Sequence, residues 1–390
     1  MRVMVRGAPS TVFAQAANSR TIARHLIMAM RPRKHRERRK PFQPPSRGLA
    51  TGMATKMLNS RVEVFPEPGS DADLRAVQKA SAVKWLRRAG LVALGIVGSL
   101  TVAVGAASFP LSGLLIRPRL KRLSQLNSPH LKSFIRRRLG LELEEVTITS
   151  FDDTKLYGWW LPLSREAATV VVLHGVKKNR TDVVRAAILL RLAGFNVLLF
   201  DGRGHGQSQG RFVTYGFYES RDVECAIEWL VKDKEIDKSR IGLAGESMGA
   251  AIALQVAARN NWVRAIWADS PFASLERIAG EFVSRATHLP RTILHPVLWT
   301  TIQVANYRGK FDVRTIDPLS LARQISCPVF LVHGTADQLI DATHSANIHD
   351  ALAGEKEMWL VPGARHARSA RHAKEEYSER LVSFFKQRLA

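Results

Sequence analysis

The sequence predicts an α/β protein: a mostly parallel sheet of eight strands with helices on both faces and a helical cap. Three observations predict it. From residue 141 onward, short apolar runs alternate with helical patterns. Those runs are continuously apolar rather than alternating, as in strands buried on both faces. One of them ends in Gly-Glu-Ser-Met-Gly at 245–249 and opens directly into a small-residue helix.

Strand patterns fall at 145–150, 156–161, 168–173, 196–201, 240–245, 263–269, 328–333 and 357–361. Helical patterns fall at 181–194, 219–232, 247–259, 341–352 and 372–388. The first two strands read as a hairpin-like pair, and the rest are separated by helices, which requires parallel crossovers. The stretch 270–326 lies between the sixth and seventh strands and is dense in apolar residues, among them Phe272, Leu275, Phe282, Leu289, Leu294, Trp299 and Ile302. It reads as a cap with an apolar inner face over the site, although packing on the sheet explains most of these side chains equally well.

The formal net charge of +24 is unevenly distributed. Residues 1–89 carry 19 Lys/Arg against 5 Asp/Glu, residues 117–140 carry 8 against none, and residues 141–390 carry 31 against 29. The main domain is therefore nearly neutral, and no nucleic-acid partner is expected of it. Residues 1–88 form a basic segment read as disordered, most plainly over 1–60, which holds the run Arg31-Pro-Arg-Lys-His-Arg-Glu-Arg-Arg-Lys40 and a Pro/Ser/Gly stretch at 41–52. The opening is Arg-rich and acid-poor, like a transit peptide. Met53 and Met57 offer rival starts, so whether 1–56 is retained stays open.

Residues 89–116 contain no charged residue. At 1.5 Å per residue they exceed the ~20 residues that cross a bilayer core of about 30 Å. A single transmembrane helix is the reading, and with it a membrane location. A cleaved signal and a buried core helix are the rivals. Arg87 and Arg88 precede the stretch, and Arg117, Arg119, Lys121 and Arg122 follow, so charge does not orient it. The basic linker 117–140 reads as either a solvated helix or a surface for anionic headgroups.

Cys225 and Cys327 read as free thiols, and neither a CxxC pair nor a Cys/His cluster with metal spacing occurs, so no metal or cofactor is expected. The Asp201–Ser208 loop, DGRGHGQS, lacks the helix start with Lys-Ser/Thr that a phosphate cradle needs, and reads as a rigid support in which His205 and Asp201 tie the loop beneath the site.

The chemistry centres on Ser247. Strand, sharp turn and helix are the setting of a nucleophile elbow, whose crowding demands small neighbours, here Gly245 and Gly249. A serine hydroxyl needs a base, and that base a carboxylate. The strand ending Phe-Leu-Val-His333 runs into Gly-Thr-Ala-Asp337, and the strand ending at Val361 runs into Pro-Gly-Ala-Arg-His366. Asp337 and His366 thus sit in loops at strand ends, where ligands gather in open α/β sheets. Asp337 as a helix cap, with Asp341 as substitute acid, is the competing reading, and His344, His349 and His372 are competing bases inside helical patterns. Met248 N–H at the helix start and Val176 N–H after His174-Gly175 are the expected oxyanion donors.

These motifs, LHGV at 173–176, DGRGHGQS at 201–208, GESMG at 245–249, HGTAD at 333–337 and PGARH at 362–366, resemble those of the α/β-hydrolase superfamily, in the group of bacterial Bem46-like and serine-aminopeptidase-like hydrolases. The resemblance covers residues 141–390 and implies a Ser247–His366–Asp337 triad. It implies little about substrate, because the fold hosts esterases, lipases and peptidases. The expected function is hydrolysis of carboxylic esters, including lipid or acyl esters. Peptide hydrolysis, with Glu246 or Glu281 as candidate anchors for an amine, and a membrane-tethered interaction protein with a vestigial site are the alternatives.

Overall fold

A computed structural model describes residues 71–117 and 129–389. The disorder expected over 1–60, the transit-like opening, the rival starts at Met53 and Met57, and Arg119, Lys121 and Arg122 of the linker lie outside the described residues. The chain divides into two units within one helix, between Val102 and Ala103.

The described part of the first unit is the front of helix α1 (Asp71–Ile116). This helix starts well ahead of residue 89, so residues 71–88 are helical where a disordered segment was expected. The physical reason is composition: residues 75–88 are rich in Ala, Leu, Lys, Arg and Gln, all strong helix formers, and elongation onto an existing helix avoids the nucleation penalty. The stretch Gln78–Ile116 is long and apolar enough to cross a membrane. Leu91, Leu94, Val97 and Leu100 are exposed along it.

The second unit, Ala103 onward, contains the last turns of α1 and an eight-stranded sheet. Ahead of the sheet, Arg136 donates to the Leu143 carbonyl (2.6 Å) and Lys132 pairs with Glu145, so part of the basic linker is engaged by its own domain. The elements are β1 (Glu144–Thr149), β2 (Lys155–Leu161), β3 (Thr169–Leu173), α2 (Val184–Leu192), β4 (Asn196–Phe200), α3 (Glu219–Asp233), β5 (Ile241–Glu246), α4 (Met248–Arg259), β6 (Val263–Asp269), α5 (Leu275–Thr287), α6 (Arg291–Gly309), β7 (Val329–Gly334), α7 (Thr343–Ala351), β8 (Lys356–Val361) and α8 (Lys374–Arg388). The strand order is β1-β2-β4-β3-β5-β6-β7-β8. β2 is antiparallel to both β1 and β4, and every other neighbouring pair is parallel.

Burial explains the continuous apolar runs. Every residue of β3 and β4 is buried, because helices cover both faces. On one face Val171, Leu198, Leu243, Ile266 and Leu331 meet the apolar side of α4. On the other, Trp267 stacks on Phe330 with ring centroids 4.5 Å apart, and its indole N–H donates to the Tyr377 hydroxyl (2.9 Å). Cys225 and Cys327 are free thiols.

The cap differs from expectation. Its helices α5 and α6 bury Leu275, Leu294 and Ile302, but Phe282, Leu289, Ile293 and Trp299 are exposed. Two helices that contact the body along one side each have only that side to bury; the remaining apolar residues are directed outward.

Candidate active site

Three parallel strands bring the three loops together. Register pairs Gly245 of β5 with Ala268 of β6, and Ala268 with Leu331 of β7. β8 pairs alongside β7, ending at Gly334 opposite Val361. The loops after β5, β7 and β8 therefore leave the sheet at the same edge.

Ser247 sits between β5 and α4 with φ +56° and ψ −114°, a conformation L-residues rarely adopt. The surroundings hold it there: Ser247 N–H donates to the Asp269 carbonyl at 2.7 Å. A Cβ at Gly245 would lie 2.4 Å from the Gly249 carbonyl, and one at Gly249 would lie 2.4 Å from the Leu173 carbonyl oxygen. Only glycine fits at either position, as the strand–turn–helix pattern predicts.

His366 joins Ser247 and Asp337. Its Nε2 lies 2.9 Å from Ser247 Oγ and its Nδ1 lies 2.7 Å from Asp337 Oδ2. A carboxylate can only accept, so Nδ1 carries the proton and Nε2 is free to accept the serine hydroxyl. Asp337 Oδ1 accepts from the N–H groups of Leu339 (2.9 Å) and Ile340 (3.0 Å), and Oδ2 also lies 3.2 Å from His333 Nε2. Burial by itself raises the Asp337 carboxyl, but the hydrogen bonds from His333 and His366 outweigh it and hold it well below the ordinary carboxylate range.

The competing residues are engaged elsewhere. Asp341 accepts from Thr343 N–H (2.9 Å) at the start of α7. His344 is buried, accepts from Ala273 N–H (2.9 Å) and contacts Glu281 (2.9 Å), tying the cap to α7. His349 lies against Asp350 on the surface, 3.4 Å away, and His372 ends the turn Ser369–His372.

The loop after β3 packs on the elbow. A Cβ at Gly175 would approach Ser247 Cβ to 3.2 Å and the Glu246 carbonyl to 3.3 Å, so the backbone leading to Val176 lies against the nucleophile. Met248 begins α4, where the first N–H groups have no intrahelical acceptor. Behind this loop, His174 Nε2 accepts from Gly202 N–H (2.9 Å), and its ring meets His205 edge-on at 5.0 Å. Burial pushes His174 down to about 4 and His205 down to about 3, so both are neutral supports. Asp201 accepts from Arg180 and Gln207 N–H (both 2.8 Å), which locks the DGRGHGQS loop beneath the site.

Two roles escaped the motif reading. Lys178 forms an ion pair with Glu246, bridging the β3 loop to the residue before the nucleophile, and burial lowers its ammonium to about 8. His333 backs Asp337 from inside the sheet, with Nδ1 2.6 Å from Ser345 Oγ and Nε2 2.9 Å from the Ile340 carbonyl. Lys178 does adjoin the LHGV motif, but its partner is 68 residues away. Among the described residues, no group of three or more His, Cys, Asp or Glu is placed to hold a metal.

Comparison with known proteins agrees with this architecture. Residues 182–390 match the sequence profile of the prolyl oligopeptidase family. The YqkD protein of Bacillus subtilis (strain 168) is 29% identical over 222 residues, which is 55% of this chain and 70% of that protein. YfhR of Escherichia coli (strain K12) is 29% identical over 250 residues, covering 62% of this chain and 80% of YfhR. Among solved structures, the Pyrococcus furiosus esterase Pf2001 superposes with a TM-score of 0.54 at 28% identity, over 65% of this chain and 96% of the esterase. These similarities establish an α/β-hydrolase.

Proposed function

This chain belongs to the prolyl oligopeptidase family, and from that premise we propose that it is a membrane-anchored serine esterase acting through Ser247, His366 and Asp337. The observation that carries this reading is the unbroken chain from carboxylate to imidazole to hydroxyl, with contacts of 2.7 and 2.9 Å. As Ser247 Oγ attacks the ester carbonyl, His366 Nε2 takes its proton. Asp337 keeps the ring oriented and stabilises the imidazolium. The carbonyl oxygen, now an oxyanion, receives the N–H groups of Val176 and Met248. Collapse expels the alcohol, which takes the proton from His366. Water then attacks the acyl-enzyme with His366 again as base, releasing the acid and restoring Ser247.

Ester cleavage is favoured by the likeness to esterase Pf2001 over nearly that enzyme's whole length. The acidic anchors a peptide amine would need are already engaged: Glu246 by Lys178, and Glu281 by Arg277 (2.9 Å) and His344 (2.9 Å). Peptide hydrolysis is the second reading, favoured by the family match. Anchoring is supported by the length and apolarity of Gln78–Ile116, and its docked last turns leave about 20 residues from Ala89 for the bilayer core.

A fluorophosphonate probe tests the nucleophile: wild type labels and Ser247→Ala does not. A panel of p-nitrophenyl esters of increasing chain length beside aminoacyl and N-acyl-aminoacyl amides tests the bond. Turnover of the amides without turnover of any ester overturns the esterase reading.

A further inference from the structure

We propose that the outer face of the cap is a seat for an anionic lipid surface, holding the α5–α6 turn in the headgroup region beside the active-site rim. The apolar part of this face is exposed: Phe282 by 55%, Ile293 by 62% and Trp299 by 58%, with Leu289 at the turn. Side chains of this kind serve a membrane interface, where an aromatic ring and aliphatic groups enter the headgroup boundary by about 5–10 Å.

Charge selects the occupant. Residues 282–311 contain Arg285, Arg291, Arg308 and Lys310, with His288 and His295, and no Asp or Glu. Between Asp73 and Glu142 the chain likewise has no acidic residue. Along 282–311 the apolar face carries cations alone, and the acids that flank it, Glu281 and Asp312, are paired with Arg277 and Arg314. Such a face suits anionic headgroups and disfavours burial against a second copy of the same basic face.

Geometry within the second unit delivers this face to that place. The last turns of α1 are fastened to α6. Ser108, Ser112 and Ile116 are fully buried, and Ser108 Oγ donates to the Val297 carbonyl (3.4 Å). Arg308 donates to the Phe109 carbonyl (2.8 Å) and to Ser112 Oγ (2.7 Å), with its guanidinium 4.4 Å from the Phe109 ring centroid. A 30 Å crossing that starts at Ala89 ends about 20 residues on, near Ser108. The α6 backbone at Val297 therefore stands where the helix leaves the bilayer. The same face adjoins the chemistry: Arg285 donates to the carbonyls of Gln338 and Leu339 (both 2.5 Å), immediately after Asp337. A substrate ester held in the membrane thereby meets the rim of the site without crossing water.

This inference rests on the reading of α1 as a span and of the site as an esterase, and the test separates all three. Full-length chain, with Cys225 and Cys327 replaced by alanine, is reconstituted into phosphatidylcholine vesicles with or without phosphatidylglycerol. A polarity-sensitive fluorophore is attached at Ile293→Cys, at Val97→Cys within α1, or at Lys386→Cys on α8, and lipid-tethered nitroxides are added. The 293 probe is expected to quench about fivefold more than the 386 probe in phosphatidylglycerol vesicles, and less without that lipid. A 293 probe as wet as the 386 probe overturns the seat. So does one that is buried but unquenched, since protein then covers the face. A wet 97 probe sinks the span, while the 293 probe still judges the seat. In a second arm, Ile293→Ser with Trp299→Ser is expected to lower hydrolysis of a vesicle-embedded long-chain ester about tenfold and leave a dissolved short-chain ester untouched. Equal effects on both, or none, count against the seat. A wild type inactive on both esters sinks the esterase reading and leaves the quenching result standing.

Discussion

The nucleophile elbow and the outer face of the cap are opposite solutions to placing side chains. At the elbow, neighbours leave no room for choice: a Cβ at Gly249 would meet the Leu173 carbonyl oxygen at 2.4 Å, and Ser247 is held at φ +56°. On the cap, Trp299 and Ile293 are exposed and meet little of the protein. The lesson is that reactivity needs atoms fixed by several elements at once, whereas a surface contact needs only chemical character.

That contrast can be broken or sharpened by substitution. The largest effect is expected for Ser247→Ala, which removes the proposed nucleophile and should lower kcat about 10⁶-fold while leaving the thermal unfolding midpoint nearly unchanged. Asp337→Asn should lower kcat about 10⁴-fold by presenting the wrong imidazole tautomer, with the fold intact by circular dichroism. Turnover within tenfold of wild type for either variant would remove the triad from the mechanism.

Next comes Gly249→Ala, whose methyl group strikes backbone rather than a movable side chain. A loss of about 3 kcal/mol in denaturant unfolding is expected. Trp299→Ser on the cap should change stability by no more than about 0.5 kcal/mol. Comparable losses at the two sites would erase the distinction drawn here.

Lys178 gives an effect of intermediate size and a definite sign. Its charged form pairs with Glu246 across the β3 loop and the elbow, and burial lowers it to about 8. Raising the pH through about 8 discharges the amine, frees Glu246 and loosens the loop, so kcat should fall on the alkaline side. Stability moves the other way: the buried charge is a penalty present below about 8 and relieved as pH rises, since the unfolded lysine stays protonated to ~10.4. Lys178→Arg, charged throughout, should flatten the alkaline limb of the kcat profile. A limb unchanged in that variant assigns it to another group.

Much of this was legible in the chain itself. The eight strands fall where short apolar runs were found, with ends moved by a residue or so, because burial on both faces writes its pattern locally. Ser247 and its two glycines were legible for the same reason: their constraint is steric and spans five residues. The start of α1 was misjudged because charge and prolines upstream masked residues whose own propensity is helical.

What the sequence by itself determined was the order of strands and helices, the elbow, and loops bearing an acid and then a histidine at strand ends. Only the tertiary structure decided which carboxylate and imidazole meet, since His366 and Ser247 lie 119 residues apart and touch through strand order alone. It also decided that Lys178 faces Glu246, that His333 backs Asp337, and that Phe282, Leu289, Ile293 and Trp299 of the cap turn outward. Local patterns follow from backbone geometry and burial of one face; long-range pairings depend on register and packing among elements, which no single stretch of chain encodes.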